Sequence, residues 1–395
     1  MARQQSGATL SRASIVLDGT APCRLICIRR TAQIYEIKAL QERKERAVLV
    51  GLTPSPTEED SLTELSRLAR TAGAEVTEVL RQRRGAINPG TFVSKGKLAD
   101  LVAITSNGDV DLVIFDDELT PGQVKKLSDK LERKVLDRSE LILAIFAEHA
   151  RTRESRLQVE LAQLEYLLPR LTRLWGHLSR QQGGIGTRGP GETQLEVDRR
   201  RVREKIAFLK RKLAEVDRER RVQRARRKGV HRTALVGYTN TGKSTLMNAL
   251  TGTHIRTEDQ LFATLDSTTR RYRFPDGQVT LFTDTVGFIR KLPHHLVASF
   301  RSTLDEVVEA DLLLHVVDAS SSGSLEQSEA VDRVLEDLGV ASKPSVLVLN
   351  KIDAAEDVHL AGLQARFEGS IVCSALEKEG LDNVRNAVLA KITGG

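Results

Sequence analysis

The stretch Gly237–Thr245, GYTNTGKST, limits what this chain can fold into more than any other. It follows the apolar run Thr233-Ala234-Leu235-Val236 and precedes Leu246-Met247-Asn248-Ala249-Leu250, placing it between an expected strand and an expected helix. Strand, glycine loop, helix is the order in which a backbone can wrap an anion. Gly237 and Gly242 let the chain turn its N–H groups inward, and the positive end of the following helix adds its dipole. The loop residues Gly237, Tyr238, Thr239, Asn240, Thr241, Gly242, Lys243, Ser244 and Thr245 would then form a phosphate cradle. Lys243 would reach the β- and γ-phosphates, and Ser244 would bind Mg²⁺. A fold built on this unit is α/β with a mainly parallel sheet.

Three further motifs follow in order. Thr280–Thr283 reads as a strand and runs into Asp284-Thr285-Val286-Gly287, a DxxG pattern. Asp284 can hold Mg²⁺ through water, and the Gly287 N–H can contact a γ-phosphate. Leu312–Val317 is a second buried strand, ending in Asp318, and Val346–Leu349 is a third, followed by Asn350-Lys351-Ile352-Asp353. In this NKxD pattern the Asp353 carboxylate accepts from the guanine N1–H and 2-amino group. Adenine offers neither donor there, so the expected ligands are GTP and GDP. Cys373-Ser374-Ala375 follows a short strand and fits a loop in which Ser374 and Ala375 support the base through backbone N–H. The threonine that closes over Mg²⁺ and the γ-phosphate must lie between the first two motifs. Thr264, Thr268 and Thr269 are the candidates, and Thr264 is chosen because Phe262-Ala263-Thr264-Leu265 resembles the switch segment of Obg- and Era-like GTPases. The metal set is therefore Ser244, Thr264 and Asp284, and the catalytic set Lys243, Thr264 and Gly287, with Phe262 beside the nucleotide. Phe288 stands where a Ras-like pattern has a water-orienting glutamine, so slow intrinsic hydrolysis is expected unless a partner positions the water. Asn240 holds a position that helps bind K⁺ in some related GTPases, which makes K⁺ a candidate second cation.

Upstream, the texture is different. Ala47–Leu52 reads as a strand, Thr57–Thr71 as a helix with Glu58, Glu59 and Asp60 in its first turn, and Ala74–Arg81 as a strand. Gly96–Ser106 is an expected helix, Asp111–Phe115 a buried strand, Pro121–Leu131 a helix, Lys134–Leu136 a strand and Ser139–His149 a helix. This alternation points to a small α/β subdomain over residues 43–150. Residues 1–42 show little periodicity and read as an extra or poorly ordered segment.

Between the two α/β parts, Leu157, Leu161, Leu164, Leu168 and Leu171 step by 4, 3, 4 and 3, and Leu195, Val202, Ile206, Leu209, Leu213 and Val216 continue the seam. Two such stripes read as an antiparallel helical hairpin over residues 151–229, with Pro169 expected to kink its first helix. A net charge of +7 is concentrated here: residues 151–229 carry 22 Lys and Arg against 10 Asp and Glu, whereas residues 230–395 carry 16 against 22. A cationic segment on an otherwise acidic or neutral chain suggests a polyanionic partner, nucleic acid first. Arg218–Lys228 then reads as either a solvated linker or a phosphate-contacting arm, the regional charge favouring the arm. Gln181–Glu192, QQGGIGTRGPGE, reads as a flexible linker or as a hairpin tip that can approach a crowded surface.

Composition bounds the rest. No run nears the roughly 20 apolar residues that span a bilayer, and the first residues lack a secretion signal's apolar core. Cys23, Cys27 and Cys373 make no disulfide framework. The expected protein is cytoplasmic, at most weakly associated with membrane, and monomeric when free.

DLVIFDDELTPGQ (Asp111–Gln123), ARTRESRLQVELAQLEYLLPRL (Ala150–Leu171), GGIGTRGPGETQLEVDRRR (Gly183–Arg201), DQLFATLD (Asp259–Asp266) and DTVGFIRKLPHHLVASF (Asp284–Phe300) together resemble the signature of the HflX family of translation-associated GTPases, over roughly residues 43–395. The resemblance implies an N-terminal α/β subdomain, a helical-hairpin subdomain and, over residues 230–395, a Ras-like GTPase domain. It also implies association with the large ribosomal subunit and its rRNA, splitting or rescue of ribosomes under stress, and a glycine-rich tip directed at the peptidyl-transferase region. The small C-terminal domain of some members is expected to be absent. The competing expectation is a nucleotide-gated RNA-binding module whose target is not the ribosome.

Overall fold

The structure is a computed structural model that describes residues 44–53, 61–83, 87–171, 194–225, 229–253, 261–262, 264–291 and 301–393. The N-terminal segment, the glycine-rich stretch, the acidic first turn expected at residues 58–60 and the last residues of the basic arm lie outside these ranges. Residues 45–395 form one compact unit.

Its first sheet has the order β2-β1-β3-β4, with β1 at Arg46–Thr53, β2 at Glu75–Arg83, β3 at Leu112–Phe115 and β4 at Lys134–Asp137. Every pairing is parallel, Val48 lying opposite Glu78 and Val113, and Phe115 opposite Asp137. Parallel strands covered on both faces need continuous apolar runs, and Ala47–Val50 and Leu112–Phe115 are buried residue by residue. The covering helices are α1 (Ser61–Thr71), α2 (Lys95–Ser106), α3 (Pro121–Leu131) and α4 (Arg138–His149). Helix α3 starts where its sequence says it must. Pro121 occupies the first turn, the Thr120 hydroxyl accepts from Gln123 N, and the Gln123 side chain accepts from Thr120 N at 2.8 Å.

Helices α5 (Arg153–Leu167) and α6 (Gln194–Ala225) form the hairpin. Leu161, Leu164, Val202 and Leu209 are buried along the seam, with Leu157, Leu168, Leu171, Ile206 and Leu213 packed beside them. Arg220 meets Glu154 at one end and Lys210 meets Glu165 nearer the other, which fixes the antiparallel register. Pro169 does more than kink the first helix. Regular helix ends at Leu167 and residues 168–170 form a turn, because a proline ring has no N–H to give and crowds the preceding turn.

The second sheet has the order β10-β9-β8-β5-β7-β6. Its strands are β5 (His231–Gly237), β6 (Thr268–Arg273), β7 (Val279–Asp284), β8 (Leu312–Asp318), β9 (Ser345–Asn350) and β10 (Ile371–Val372). Only the β6–β7 pairing is antiparallel. Helices α7 (Lys243–Thr251) and α9 (Leu381–Thr393) bury Leu246, Leu250, Val384 and Val388 on this sheet, and α8 (Ser324–Asp337) contributes Val331 and Leu335. Each sheet has a core of its own on one face, Val48, Val113 and Leu127 in the first and Leu235, Phe282 and Val384 in the second, and the two share a third. Leu49, Leu62, Leu65 and Phe146 from the first half belong to the same buried cluster as Val236, Phe262, Leu265, Val286 and Phe288 from the second.

Candidate functional site

Four of the expected motifs and Asp318 sit at or just beyond the carboxyl ends of β5, β7, β8, β9 and β10, the edge at which open parallel sheets bind ligands. After β5 the chain turns through Asn240 (φ 60°) and Gly242 (φ 86°) into α7. A Cβ on Gly242 would run into the Asn350 side-chain nitrogen, so the left-handed turn and the close approach both require glycine. Gly287 comes equally near from the other side: a Cβ there would lie 2.7 Å from Thr239 Cα and 3.0 Å from Lys243 Nζ. The Lys243 ammonium is buried, and Nζ donates to Tyr238 O (2.6 Å) and Gly237 O (3.1 Å). Burial pushes it down to about 8, opposed by Asp284 and reinforced by Lys351. A polyphosphate would supply the counter-charge that this amine lacks.

Ser244, Thr264 and Asp284 come together from three separate segments. Ser244 Oγ donates to Asp284 Oδ2 (2.5 Å) and lies 3.0 Å from Thr264 Oγ1, which itself reaches Asp284 Oδ2 at 3.3 Å. Burial raises the Asp284 carboxyl above the ordinary carboxylate range, against the Ser244 hydroxyl and Lys243. Its Oδ1 has no hydrogen-bond partner among the described residues. An all-oxygen set with one buried carboxylate and an orphaned lone pair suits a hard divalent cation completed by phosphate and water. Thr285 ties this loop down by donating to Leu235 O at 2.6 Å.

At the base end, Asn350 Nδ2 donates to Thr241 O (2.9 Å), joining the phosphate loop to the third motif. Lys351 takes a left-handed backbone (φ 63°) and pairs with Asp318 at 2.7 Å. Ser374 Oγ donates to Asp353 Oδ1 at 2.5 Å, which aims an otherwise exposed carboxylate. Ala375 N donates to Asn350 Oδ1 at 3.0 Å, a role the sequence reading had not assigned to the N–H it placed at the base.

Two expected ligand residues turn their side chains away from this edge. The Phe262 ring packs against Phe146 of α4 in a T-shaped pair, centroids 4.7 Å apart. The Tyr238 hydroxyl donates to Glu64 of α1. Neither side chain is therefore turned toward a ligand at this edge. Phe288 is 1% exposed and its backbone is joined to the phosphate loop: Phe288 N donates to Gly237 O (3.1 Å) and Thr239 N to Phe288 O (2.7 Å). A phenyl ring so enclosed has neither the chemistry nor the access to orient water. The K⁺ expectation still rests on the identity of Asn240.

Sequence reading missed the residues that bind the second half to the first: Glu64, Asp116, Arg138, Phe146, Thr152 and Asp266. Asp266, two residues after Thr264, accepts from Arg151 N and Thr152 N (3.1 Å each) and from Thr152 Oγ1 (2.6 Å), at the start of hairpin helix α5. A partial signal was present. Asp116 and Arg138 lie just beyond strands β3 and β4, where buried strands turn abruptly charged.

The chain is similar to known proteins along most of its length. Residues 59–147 match the family model described as GTP-binding GTPase N-terminal, 149–227 the GTP-binding GTPase Middle Region, and 232–351 the 50S ribosome-binding GTPase. A GTPase HflX from Caldanaerobacter subterraneus subsp. tengcongensis is 51% identical over 354 residues, 89% of this chain and 82% of that one. The GTPase HflX of Escherichia coli is 48% identical over 317 residues, 79% of this chain and 74% of that one. A GTP-binding protein from Sulfolobus solfataricus, solved with GDP, aligns at 25% identity and a TM-score of 0.41 over 89% of this chain and 99% of its own. With three consecutive family models matched and about half of its residues shared with curated relatives, the chain belongs to the HflX family of GTPases, and it binds and hydrolyses GTP.

Proposed function

We propose that GTP binding sets the position of the basic hairpin so that it can dock on the large ribosomal subunit and its rRNA, and that this docking splits or rescues ribosomes under stress. Backbone N–H groups of Gly237–Thr245 cradle the phosphates, and Lys243 supplies the charge for the β- and γ-phosphates. Asp353, aimed by Ser374, selects guanine. Ser244, Thr264 and Asp284 would hold Mg²⁺, which when bound neutralises charge on the β- and γ-oxygens. Thr264 closes over the γ-phosphate and Gly287 N–H donates to it. Because Phe288 is sealed in the core, intrinsic hydrolysis is slow and waits for a partner to position the water. Asn240 is the residue through which K⁺ would act, and equal rates in sodium and potassium buffers would exclude that role.

The observation that carries the coupling is the bond set of Asp266. Thr264 senses the γ-phosphate, and two residues later the same segment holds the first turn of the hairpin. A segment ordered by GTP and released after hydrolysis thus reaches the basic helices directly. The 50S ribosome-binding description of the matched GTPase model supports the large subunit as the target. Sedimentation with purified large subunits in GTP, GDP and a non-hydrolysable GTP analogue tests it. Association favoured by the analogue is expected, and no association in any nucleotide state would refute the reading.

A further inference from the structure

Beside the nucleotide edge lies a chain of buried charges that binding and hydrolysis, as described above, do not use. Arg138 is 1% exposed although it carries a guanidinium. Its Nη1 donates to Asp116 Oδ1 at 2.7 Å, and its Nη2 pairs with Glu64. Glu64 also accepts from the Tyr238 hydroxyl, in the phosphate loop. Asp116, fully buried, receives Lys291 Nζ at 2.5 Å and Ser61 Oγ at 2.7 Å. Burying this many ionisable groups costs more than packing the same space with apolar side chains, so such a network is weak evidence for stability and better evidence for a positional task.

The task is visible at Arg290, three residues past Gly287. The Tyr238 hydroxyl accepts from Arg290 N at 2.7 Å, and Arg138 Nη2 donates to Arg290 O at 2.9 Å. Both backbone groups of one residue in the segment after DxxG are thus held by side chains that share Glu64. The next residue, Lys291, is forced into a left-handed backbone (φ 52°) and held there by Asp116 and by Asp117 at 2.8 Å. A non-glycine residue in that conformation persists only where its surroundings over-determine it.

We propose that Arg138, with Glu64 and Tyr238, is a positioning residue for GTP hydrolysis: together they clamp the backbone on both sides of Arg290 and thereby fix where the Gly287 N–H, in the role proposed for it above, meets the γ-phosphate. Arg138 and Glu64 stand on α4 and α1, the helices that cover the first sheet, so that half of the molecule contributes to hydrolysis without supplying a residue of the nucleotide motifs. A preorganised donor accelerates a charge-developing step because its orientation is settled before the reaction. GDP has no γ-phosphate, so its binding is indifferent to the clamp.

Three substitutions in the full-length chain test this: Tyr238→Phe, Glu64→Gln and Arg138→Lys. The first removes one hydroxyl and leaves the Arg138–Asp116 pair in place. Steady-state hydrolysis, fluorescent GDP titration and thermal melts are the measurements. Tyr238→Phe and Arg138→Lys are expected to lower kcat at least fivefold, with KM and GDP affinity within twofold of wild type. The Tyr238→Phe/Arg138→Lys double variant should be no slower than the slower single one, since both side chains hold one residue and share Glu64. Wild-type kcat in a folded Tyr238→Phe protein would overturn the proposal, as would a faster rate. Losses that multiply in the double variant would overturn it too, and if Arg138→Lys does not fold, Tyr238→Phe and Glu64→Gln decide.

Discussion

The molecule has two parallel edges of the same kind, put to opposite uses. Beyond the strands of the second sheet, the side chains are arranged so that something is missing. Among the described residues Lys243 donates only to backbone oxygens and Asp284 Oδ1 has no partner, and Gly242 and Gly287 hold space that a Cβ would fill. Beyond the strands of the first sheet, Asp116 meets Arg138 and Lys291, and Arg138 meets Glu64, so each of these charges already faces its opposite, although Arg138 Nε and Asp117 Oδ2 have no hydrogen-bond partner among the described residues. Both edges lie where open α/β sheets place ligands. The unsatisfied edge is the one built for a phosphate, and the satisfied edge has taken its own chain as ligand.

The sharpest way to break this contrast is Lys243→Ala. If the second edge is the polyphosphate site, losing that ammonium removes about 3 kcal/mol or more, on the order of a hundredfold in affinity for GTP and GDP. A fluorescent-nucleotide titration reads it, and near-normal affinity would mean that the two edges have been misassigned. Asp353→Asn comes next. Loss of the acceptor for two guanine donors should weaken GTP by roughly tenfold to a hundredfold and shift preference toward xanthine nucleotides, which competition binding detects. An unchanged base preference would remove the third motif from the site.

Asp266→Ala probes the seam between the halves. It removes an acceptor from the start of α5, worth about 1 kcal/mol, so melting should fall by a few degrees while GDP affinity holds. If the melt is unchanged, the switch segment is not coupled to the hairpin through this residue. The smallest effect concerns the satisfied edge. Glu140, in the first turn of α4, is raised to about 7 by burial and then by Asp137. Its folded pKa exceeds its unfolded value of 4.5, so the folded state holds the extra proton, and stability falls as pH rises from about 4.5 to about 7. Glu140→Gln should flatten that slope by about 1 kcal/mol, discounted because the side chain keeps some exposure. Melts from pH 4.5 to 8 that run parallel to wild type would show that Glu140 holds no such proton.

Much of this is legible in the sequence. Helix α3 has the bounds expected for it, Pro121–Leu131, and the hairpin seam follows the leucine stripe. Ser244, Thr264 and Asp284 converge as their motifs suggested. What escaped was direction. Tyr238 and Phe262 lie within nucleotide motifs, yet their side chains serve the other half of the molecule, and no local pattern distinguishes a ring facing a ligand from one facing a helix.

The sequence by itself determined the glycine loop after β5, the Asn350–Asp353 motif after β9 and the α/β class. A phosphate is wrapped by consecutive backbone groups, so its site has to be written in consecutive residues. Only the tertiary structure decided that the first sheet grips the segment after DxxG. Arg138 and Arg290 stand 152 residues apart, and Glu64 and Tyr238 are joined across 174. Nothing in an isolated glutamate or arginine says which partner burial will bring it. Those contacts exist because one continuous apolar core draws the two halves together and leaves charges inside it that must be paired.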